Sequence, residues 1–345
     1  MRIFDPHIHM TSRTTNDYTA MYDAGVRAVV EPSFWLGQPR TNVGSFADYF
    51  DALIGWERFR AAQYGIRHHA TIGLNPKEAN DPRCREVLDL LPRYLGKDGV
   101  VAVGETGYDS MTAAEDEAFA AQLELADRFG LPALVHTPHR DKAAGTIRTL
   151  DVVRESGLAP ERVVVDHLNE MTVRAVAESG CWMGFSIYPD TKMDERRFVA
   201  ILQEYGTERM LANSAADWGH SDPLKTRATA EAMLEAGFTF DDVDVVLWRN
   251  PVAFYGQSGR LNLDPVPGFE PDAADVAFAA AGATFEGNSV LRGVHVGAVR
   301  ELHQARTPRS TELPSNVAPA AANATSAASA SKPGTGSRLS RPLCP

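Results

Sequence analysis

Two histidines near the start of the chain, His7 and His9, have the spacing of a metal-binding pair. The stretch from Arg2 to Asp5 is predicted to be a short strand, and in extended backbone the side chains two positions apart point to the same side. Both imidazoles can therefore approach one point, and neutral imidazole nitrogens are common ligands of transition metals. The Asp5 side chain points to the same side as those of His7 and His9. We therefore expect its carboxylate to orient one of the imidazoles without itself binding the metal.

Three more ligand-type side chains recur at a fixed interval further along the chain. Glu105, His136 and His167 are spaced 31 residues apart, which is about the length of one strand–helix repeat. Each follows an apolar run that is predicted to be a strand, and Asp217 comes after the last such run. In a barrel of parallel strands these strand ends meet on one face. Together with the first pair they supply four histidines and two carboxylates, enough for two adjacent cations that share one carboxylate.

The hydrophobic pattern predicts eight strands that alternate with helices. The predicted strands are 2–5, 26–31, 67–74, 100–104, 132–135, 162–166, 181–186 and 209–213. The predicted helices are 17–24, 45–64, 82–95, one that begins at the capping box of Thr112 and ends at Gly130, then 146–156, 172–179, 195–205, 224–236 and 240–246. This order is typical of an α/β protein with a parallel (β/α)8 TIM barrel. The alternative is an open doubly wound sheet, but no glycine-rich phosphate loop follows the first strand.

Composition limits the classes of partner and compartment. The chain has 345 residues, 44% of them apolar, and a net charge of −11, so no overall charge attraction draws it to nucleic acid or to anionic membranes. Its three cysteines, Cys84, Cys181 and Cys344, are odd in number and far apart, which fits a reducing compartment. Neither a signal peptide nor a membrane-length apolar run is found. We therefore expect a soluble cytoplasmic protein.

The chain is predicted to have three parts. Residues 1–259 form the barrel, and residues 260–306 form a short C-terminal extension over it. Residues 307–345 are rich in Ala, Ser, Pro and Thr with few charges, so they are predicted to be a disordered tail.

Several motifs resemble those of the TatD-like metal-dependent hydrolases of the amidohydrolase superfamily. The resemblance covers about residues 1–256. The matching stretches are Asp5-Pro6-His7-Ile8-His9, the turn from Gly73 to Ala79, Gly104-Glu105-Thr106-Gly107-Tyr108-Asp109, the histidines His136 and His167, Asp217, and the stretch from Asn250 to Gly256. Departures occur at 214–219, at Pro138 and at 168–170, in loops that are expected to contact substrate. They weaken any transfer of the family's DNase activity to this chain.

The resemblance and the ligand set together predict metal-assisted hydrolysis. Two divalent ions are expected, Zn²⁺ first and Mn²⁺ or Mg²⁺ as alternatives. The first ion would be held by His7, His9 and Asp217, the second by His136 and His167, with Glu105 bridging. Asp217 is expected to accept a proton from the attacking water, so that Asp217 and Glu105 are the predicted catalytic residues.

The expected substrate is a small molecule or a phosphoester, with nucleic acid considered only as a substrate. Tyr108, His139, Arg140 and Trp218 are predicted to contact it from loops on the active face. Phe34 and Trp35 are candidates for an apolar wall beside them. His68 and His69 are adjacent in one strand, so we expect them to serve packing rather than ligation.

Three other functions stay open at this point. A carbonyl-centre hydrolase, such as a lactonase or an amidohydrolase, needs the same activated water. A mononuclear deaminase uses a similar set of histidines and one aspartate, but Glu105 favours two metal ions over one. A non-catalytic metal-binding protein is the third, and it would have no need of a complete ligand set on an open face.

Overall fold

A computed structural model describes residues 1–35, 40–189 and 191–269. Its eight strands form one parallel sheet in sequence order, which confirms the predicted TIM barrel. The strands are β1 Ile3–Asp5, β2 Val26–Pro32, β3 Arg67–Ile72, β4 Val100–Gly107, β5 Ala133–His136, β6 Val163–Val165, β7 Trp182–Ser186 and β8 Met210–Asn213.

Helices follow most of the strands. The α-helices are α1 Thr15–Asp23, α2 Val43–Asp51, α3 Arg58–Ala62, α4 Pro76–Ala79, α5 Val87–Leu90, α6 Pro92–Leu95, α7 Ala113–Phe129, α8 Lys142–Ser156, α9 Val173–Ser179, α10 Glu195–Tyr205, α11 Lys225–Glu235, α12 Phe240–Asp244 and α13 Asn250–Gly256. Two π-helical segments, Ala52–Glu57 and Val245–Arg249, join helices α2 to α3 and α12 to α13. None of the helices in these residues has both the length and the hydropathy needed to cross a lipid bilayer.

The apolar side chains form two layers. One cluster fills the inside of the barrel and includes Phe4, Leu134, Leu211, Phe254 and Tyr255, all buried. A larger cluster lies between the outer face of the strands and the helices. Strands buried on both faces explain why their sequences are continuous apolar runs rather than alternating ones.

The last strand meets the first just beyond their regular ends. The backbone N–H of Ala215 donates to the carbonyl of His7 over 2.8 Å, and the N–H of His9 donates to the carbonyl of Ala216 over 2.9 Å. These bonds hold the segment that carries His7 and His9 beside the loop that follows β8. The two ends of the barrel sequence therefore meet on the active face.

Residues 260–269 follow α13 and lie beside the start of β3, at the end of the barrel opposite the predicted ligands. The N–H of Asn262 donates to Nε2 of His69 over 3.1 Å, and the guanidinium of Arg67 donates to the carbonyl of Pro265 over 2.8 Å. Val266 is buried there. This is the start of the predicted extension 260–306. Its remainder and the predicted tail 307–345 lie outside the described residues.

Two predicted helices differ in continuity from those in the structure, and the helix predicted at 146–156 begins earlier, at Lys142. The segment 82–95 was predicted to be one helix but consists of a short 3-10 turn and the two short helices α5 and α6. Pro92 begins α6, and a proline lacks the N–H that would continue α5 into it. The segment 45–64 is helical as far as Ala62, but the π-helical residues Ala52–Glu57 interrupt the regular hydrogen bonding. By contrast, the capping box of Thr112 and Glu115 begins α7 as predicted, and Gly130 ends it with a φ of 64°.

Candidate metal centre

Five of the six predicted ligands converge at the carboxyl ends of the strands. His7 and His9 follow β1, Glu105 lies in β4, His136 ends β5 and His167 comes after β6, and all five are buried. Oε1 of Glu105 lies 2.9 Å from Nδ1 of His136, 3.0 Å from Nε2 of His167 and 3.9 Å from Nε2 of His7. Nε2 of His9 lies 3.3 Å from Nε2 of His7. Glu105 is therefore the carboxylate that both pairs of histidines approach.

The charge states of these groups suit a divalent cation. Burial raises the pKa of Glu105, but the neighbouring His136, His167 and His7 outweigh it, and the pKa lies well below its ordinary value. Burial lowers the pKa values of His9 and His167 well below their usual range. An ionised Glu105 beside the neutral imidazoles of His9 and His167 offers lone pairs to a metal ion, which a protonated imidazole would lack. The residues present fit a metal site.

Asp166 orients the ring of His7. Its Oδ2 lies 2.6 Å from Nδ1 of His7, and the amide of Asn213 donates to both carboxylate oxygens over 3.1 Å. Burial lowers the pKa of His7, but its hydrogen bond to Asp166 and the charge of Glu105 outweigh this, and the pKa is raised. With Nδ1 bonded to a carboxylate, Nε2 is the nitrogen that faces the other ligands.

Asp5, which was expected to orient an imidazole, contacts backbone instead. Its carboxylate accepts from the N–H groups of His7, over 3.2 Å, and Ser214, over 3.2 and 3.3 Å. Burial raises the pKa of Asp5 to about 7. Asp166 was missed because it lies 159 residues from His7 in the chain. Its only sequence signal was a carboxylate at the end of an apolar run, directly before a predicted ligand.

Asp217 lies beside the cluster and not within it. Its loop runs along the His7–His9 segment, but its Oδ1 accepts from the N–H of Gly219 over 2.8 Å and from the hydroxyl of Tyr188 over 3.1 Å. Among the described residues, the ligand atoms that lie within 4.8 Å of one another form two groups of three, and neither includes Asp217 or His9. The groups are Glu105, His136 and His167, and His7, Asp166 and His167. The roles of Asp217 as a metal ligand and as a proton acceptor stay predictions.

The predicted substrate-binding residues occupy different environments. Tyr108 is buried in the barrel wall, with its hydroxyl bonded to Asp116 and its ring against Phe119, so the structure does not bring it to the site. His139 and Arg140 are exposed on the loop after β5. The His139 ring is 6.3 Å from that of His136.

Aromatic side chains form a wall on one side of the cluster. The ring of Phe34 stacks on His9 with centroids 4.0 Å apart. Trp218 stacks on Phe34 at 6.0 Å with nearly parallel planes, and Trp35 meets Phe34 edge-on. Trp218 is 55% exposed, so one face of this stack is open to solvent. The wall gives Trp218 a position from which it can touch a substrate at the His9 side.

The two adjacent histidines of β3 serve packing within the described chain. Nε2 of His68 lies 2.8 Å from a carboxylate oxygen of Glu31, whose other oxygen accepts from the N–H of Thr11 over 2.8 Å. His69 bonds to Asn262 at the other end of the barrel. Neither histidine belongs to the groups of converging ligand atoms.

Two lysines beside His167 were not found by sequence reasoning. Nζ of Lys142 donates to Oγ1 of Thr137 over 2.9 Å and to the carbonyl of His167 over 2.7 Å. Nζ of Lys192 lies 3.1 Å from Nδ1 of His167. Burial and the charge of Lys192 lower the pKa of Lys142 to about 8. Lys142 begins α8 and Lys192 lies on the loop after β7, and no spacing rule relates them.

Comparisons with known proteins identify the family of this chain. The family model of TatD-related DNases matches residues 4–256. An uncharacterized metal-dependent hydrolase of Methanocaldococcus jannaschii is 25% identical over 257 residues, covering 73% of this chain and 99% of that protein. The solved structure of a TatD-like protein from Archaeoglobus fulgidus matches with a TM-score of 0.62 and 25% identity, over 73% of this chain and 99% of that one.

A more distant structure shares the fold alone. It is the phosphotriesterase homology protein from Escherichia coli, solved with phosphate in its active site, with a TM-score of 0.57 and 16% identity over 74% of this chain and 98% of that one. The family model covers most of the barrel and all five converging ligands. The chain belongs to the TatD-related DNase family and is a metal-dependent hydrolase of the TatD type.

Proposed function

We propose that this hydrolase cleaves a phosphoester-type bond in a small molecule by means of water activated at a centre of two divalent metal ions. The observation that carries the proposal is the position of Oε1 of Glu105, which lies within 3.0 Å of a nitrogen of His136 and of His167 and 3.9 Å from one of His7. A carboxylate shared between histidine pairs is suited to bridging two ions. A mononuclear deaminase has no need of it.

Each side chain then has a defined task. His7 and His9 would hold the first ion with Asp217, His136 and His167 would hold the second, and Glu105 would be shared between them. Ions bound there supply a water of lowered pKa and stabilise charge on the oxygens of the reacting group. The predominance of imidazole ligands favours Zn²⁺, with Mn²⁺ or Mg²⁺ as alternatives.

Asp217 is the proposed proton acceptor. Its loop is bonded to the backbone of His7 and His9 through Ala215 and Ala216, which supports this role. The hydroxyl of Tyr188 and the N–H of Gly219 fix one of its oxygens. A carboxylate held in this way would accept a proton from the attacking water and return it to the leaving group.

A small-molecule substrate in the cytoplasm is part of the proposal. The net charge of −11 opposes binding of a long polyanion, so nucleic acid is kept only as an alternative substrate. Cys84 and Cys181 are buried free thiols, which supports a reducing compartment.

The test is a substrate screen on metal-loaded protein. Phosphodiesters, phosphomonoesters, carboxylic esters, lactones and amides are compared, with chelator-treated protein and Glu105→Gln as controls. We expect phosphoester hydrolysis that disappears in both controls. Hydrolysis confined to lactones or amides would replace the proposal with a carbonyl-centre hydrolase, and activity that survives chelation would exclude the metal mechanism.

A further inference from the structure

The two lysines beside His167 differ from the other lysines of the described chain. Each of the other three described lysines pairs with a carboxylate: Lys77 with Asp109, Lys97 with Asp51 and Lys225 with Glu195. Lys142 and Lys192 form no such ion pair with any described residue. They are the two that touch His167, one at its carbonyl and one at its ring.

The ammonium groups of Lys142 and Lys192 are two positive charges at a partly buried site, and such a pair requires a neighbouring negative charge. Both side chains are only partly exposed, and both ammonium groups contact the same residue. Partial burial and mutual repulsion make this arrangement costly unless an anion offsets it. The charges of Asp166, Glu105 and Asp217 attract Lys192, and that of Asp166 attracts Lys142, but none of these carboxylates forms an ion pair with either lysine. Asp166 is already bonded to His7 and Asn213, and Glu105 to His136 and His167. Metal ions at the neighbouring ligands would add positive charge, so they increase the need for an anion.

The lysines stand on a definite side of the centre. The rings of His9, His7 and His167 form a row, with centroids 5.1 Å apart between the first two and 5.3 Å between the last two. Phe34 and Trp218 stack at the His9 end of this row. The lysines lie at the His167 end. A substrate lying across the row would therefore meet an apolar wall at one end and two cations at the other.

We propose that Lys142 and Lys192 form an anion subsite that binds a phosphate-like dianion of the substrate next to the metal centre. This inference rests on the proposed hydrolase function and narrows its substrate to small molecules that carry such a group. Lysine binds phosphate as a compact point charge, and a hydrogen bond to a charged group contributes more than one between neutral groups. Lys142 also keeps its bonds to Thr137 and to the carbonyl of His167, which fix its ammonium group.

The test measures binding of phenylphosphonate, whose carbon–phosphorus bond is not an ester, by calorimetry. Wild type is compared with Lys142→Met and Lys192→Met, with and without metal, and Lys97→Met is the matched control on a distant surface. We expect each of the first two substitutions to weaken phenylphosphonate binding about 10- to 100-fold, and Lys97→Met to change it less than twofold. Benzyl alcohol, the uncharged probe, should bind all four proteins alike.

Two outcomes would overturn the subsite. One is equal phenylphosphonate affinity in wild type and both lysine variants, and the other is no binding to wild type. Thermal unfolding checks that the variants fold. Lys142→Gln and Lys192→Gln, which keep a polar head group, replace any methionine variant that does not, and Lys192→Arg should restore most of the affinity.

Failure of the hydrolase proposal would look different. If no ester is cleaved but phenylphosphonate binding still depends on both lysines, the anion subsite stands without the phosphoesterase function. If uncharged esters are cleaved and phenylphosphonate binding ignores both lysines, hydrolysis stands and the subsite is wrong.

Discussion

The Asp166 carboxylate connects residues from three distant parts of the chain at this site. Asp166 bonds to the ring of His7, to the amide of Asn213 and to the backbone of His167. It therefore links the segment after β1 with the ends of β6 and β8. The carboxylate fixes which nitrogen of His7 carries the proton, and this decides whether the other nitrogen can act as a ligand.

Replacement of Asp166 by asparagine should weaken metal binding. The amide has no charge, so the preference of His7 for a proton on Nδ1 is reduced. Loss of such an orienting carboxylate typically lowers metal affinity about 10- to 100-fold. Competition with a chromophoric chelator measures it, and Asp151→Asn, in a surface ion pair with Arg154, is the control. Unchanged affinity in Asp166→Asn would mean that the ring is held by other contacts.

Asp217 and Glu105 should respond differently to loss of charge. Asp217→Asn keeps one oxygen and the shape, so metal occupancy should largely survive while the rate falls about 10²- to 10⁴-fold, as expected for a lost general base. Glu105→Gln should lower occupancy and rate together, because both histidine pairs lose the shared anion. Elemental analysis beside turnover on the best substrate separates the two. Near-normal turnover of fully loaded Asp217→Asn would rule out Asp217 as the proton acceptor.

The predicted metal ligands were easier to identify from the sequence than the side chains that contact them. His7, His9, Glu105, His136 and His167 follow apolar strands, and the barrel brings all strand ends to one face, so their convergence could be predicted. The contact between Asp166 and His7 depends on closure of the barrel. The approach of Lys142 and Lys192 to one histidine depends on the conformation of the segments that follow β5 and β7. Hydrophobic periodicity does not encode that conformation.

Strands were easier to predict than helices for a physical reason. A strand buried on both faces is a continuous apolar run bounded by polar residues, and β5, at Ala133–His136, differs from its predicted range by one residue at each end. Helix continuity depends on backbone hydrogen bonds. The break before Pro92 and the π-helical turns at Ala52–Glu57 change those bonds without changing the hydrophobic pattern.

The contact between β3 and the segment after α13 should make stability depend on pH. Burial lowers the pKa of His69 from 6.5 to about 3, so between these values the unfolded chain binds a proton that the folded chain does not. Stability is therefore lost as the pH falls through this window, by up to about 1.4 kcal/mol per pH unit. His69→Gln keeps an acceptor for the N–H of Asn262 and does not titrate. Urea unfolding at pH 7, 6 and 5 should show a flatter profile for the variant, and parallel profiles would contradict this.

For the molecule as a whole, metal content and stability should be linked. The ligands come from β4 and β5 and from the segments after β1 and β6, so ions bound there would connect both halves of the barrel. We expect two equivalents of divalent metal per chain by elemental analysis. Free metal at about 100 times its dissociation constant should stabilise the fold by about 2.7 kcal/mol for each independent site, and a chelator should lower the melting temperature accordingly. An identical melting temperature with and without chelator would contradict the linkage.

The lysine pair also has a consequence for how fast a substrate arrives. The whole chain carries a net charge of −11, which repels an anion at a distance, while Lys142 and Lys192 attract it close to the centre. At about 10 mM salt the screening length is near 30 Å, and at about 100 mM it is near 10 Å. Added salt should therefore first raise kcat/KM for a dianionic substrate, by screening the distant repulsion, and then lower it, by screening the lysines. Stopped-flow association of phenylphosphonate should show this maximum in wild type and lose the falling limb in Lys192→Met.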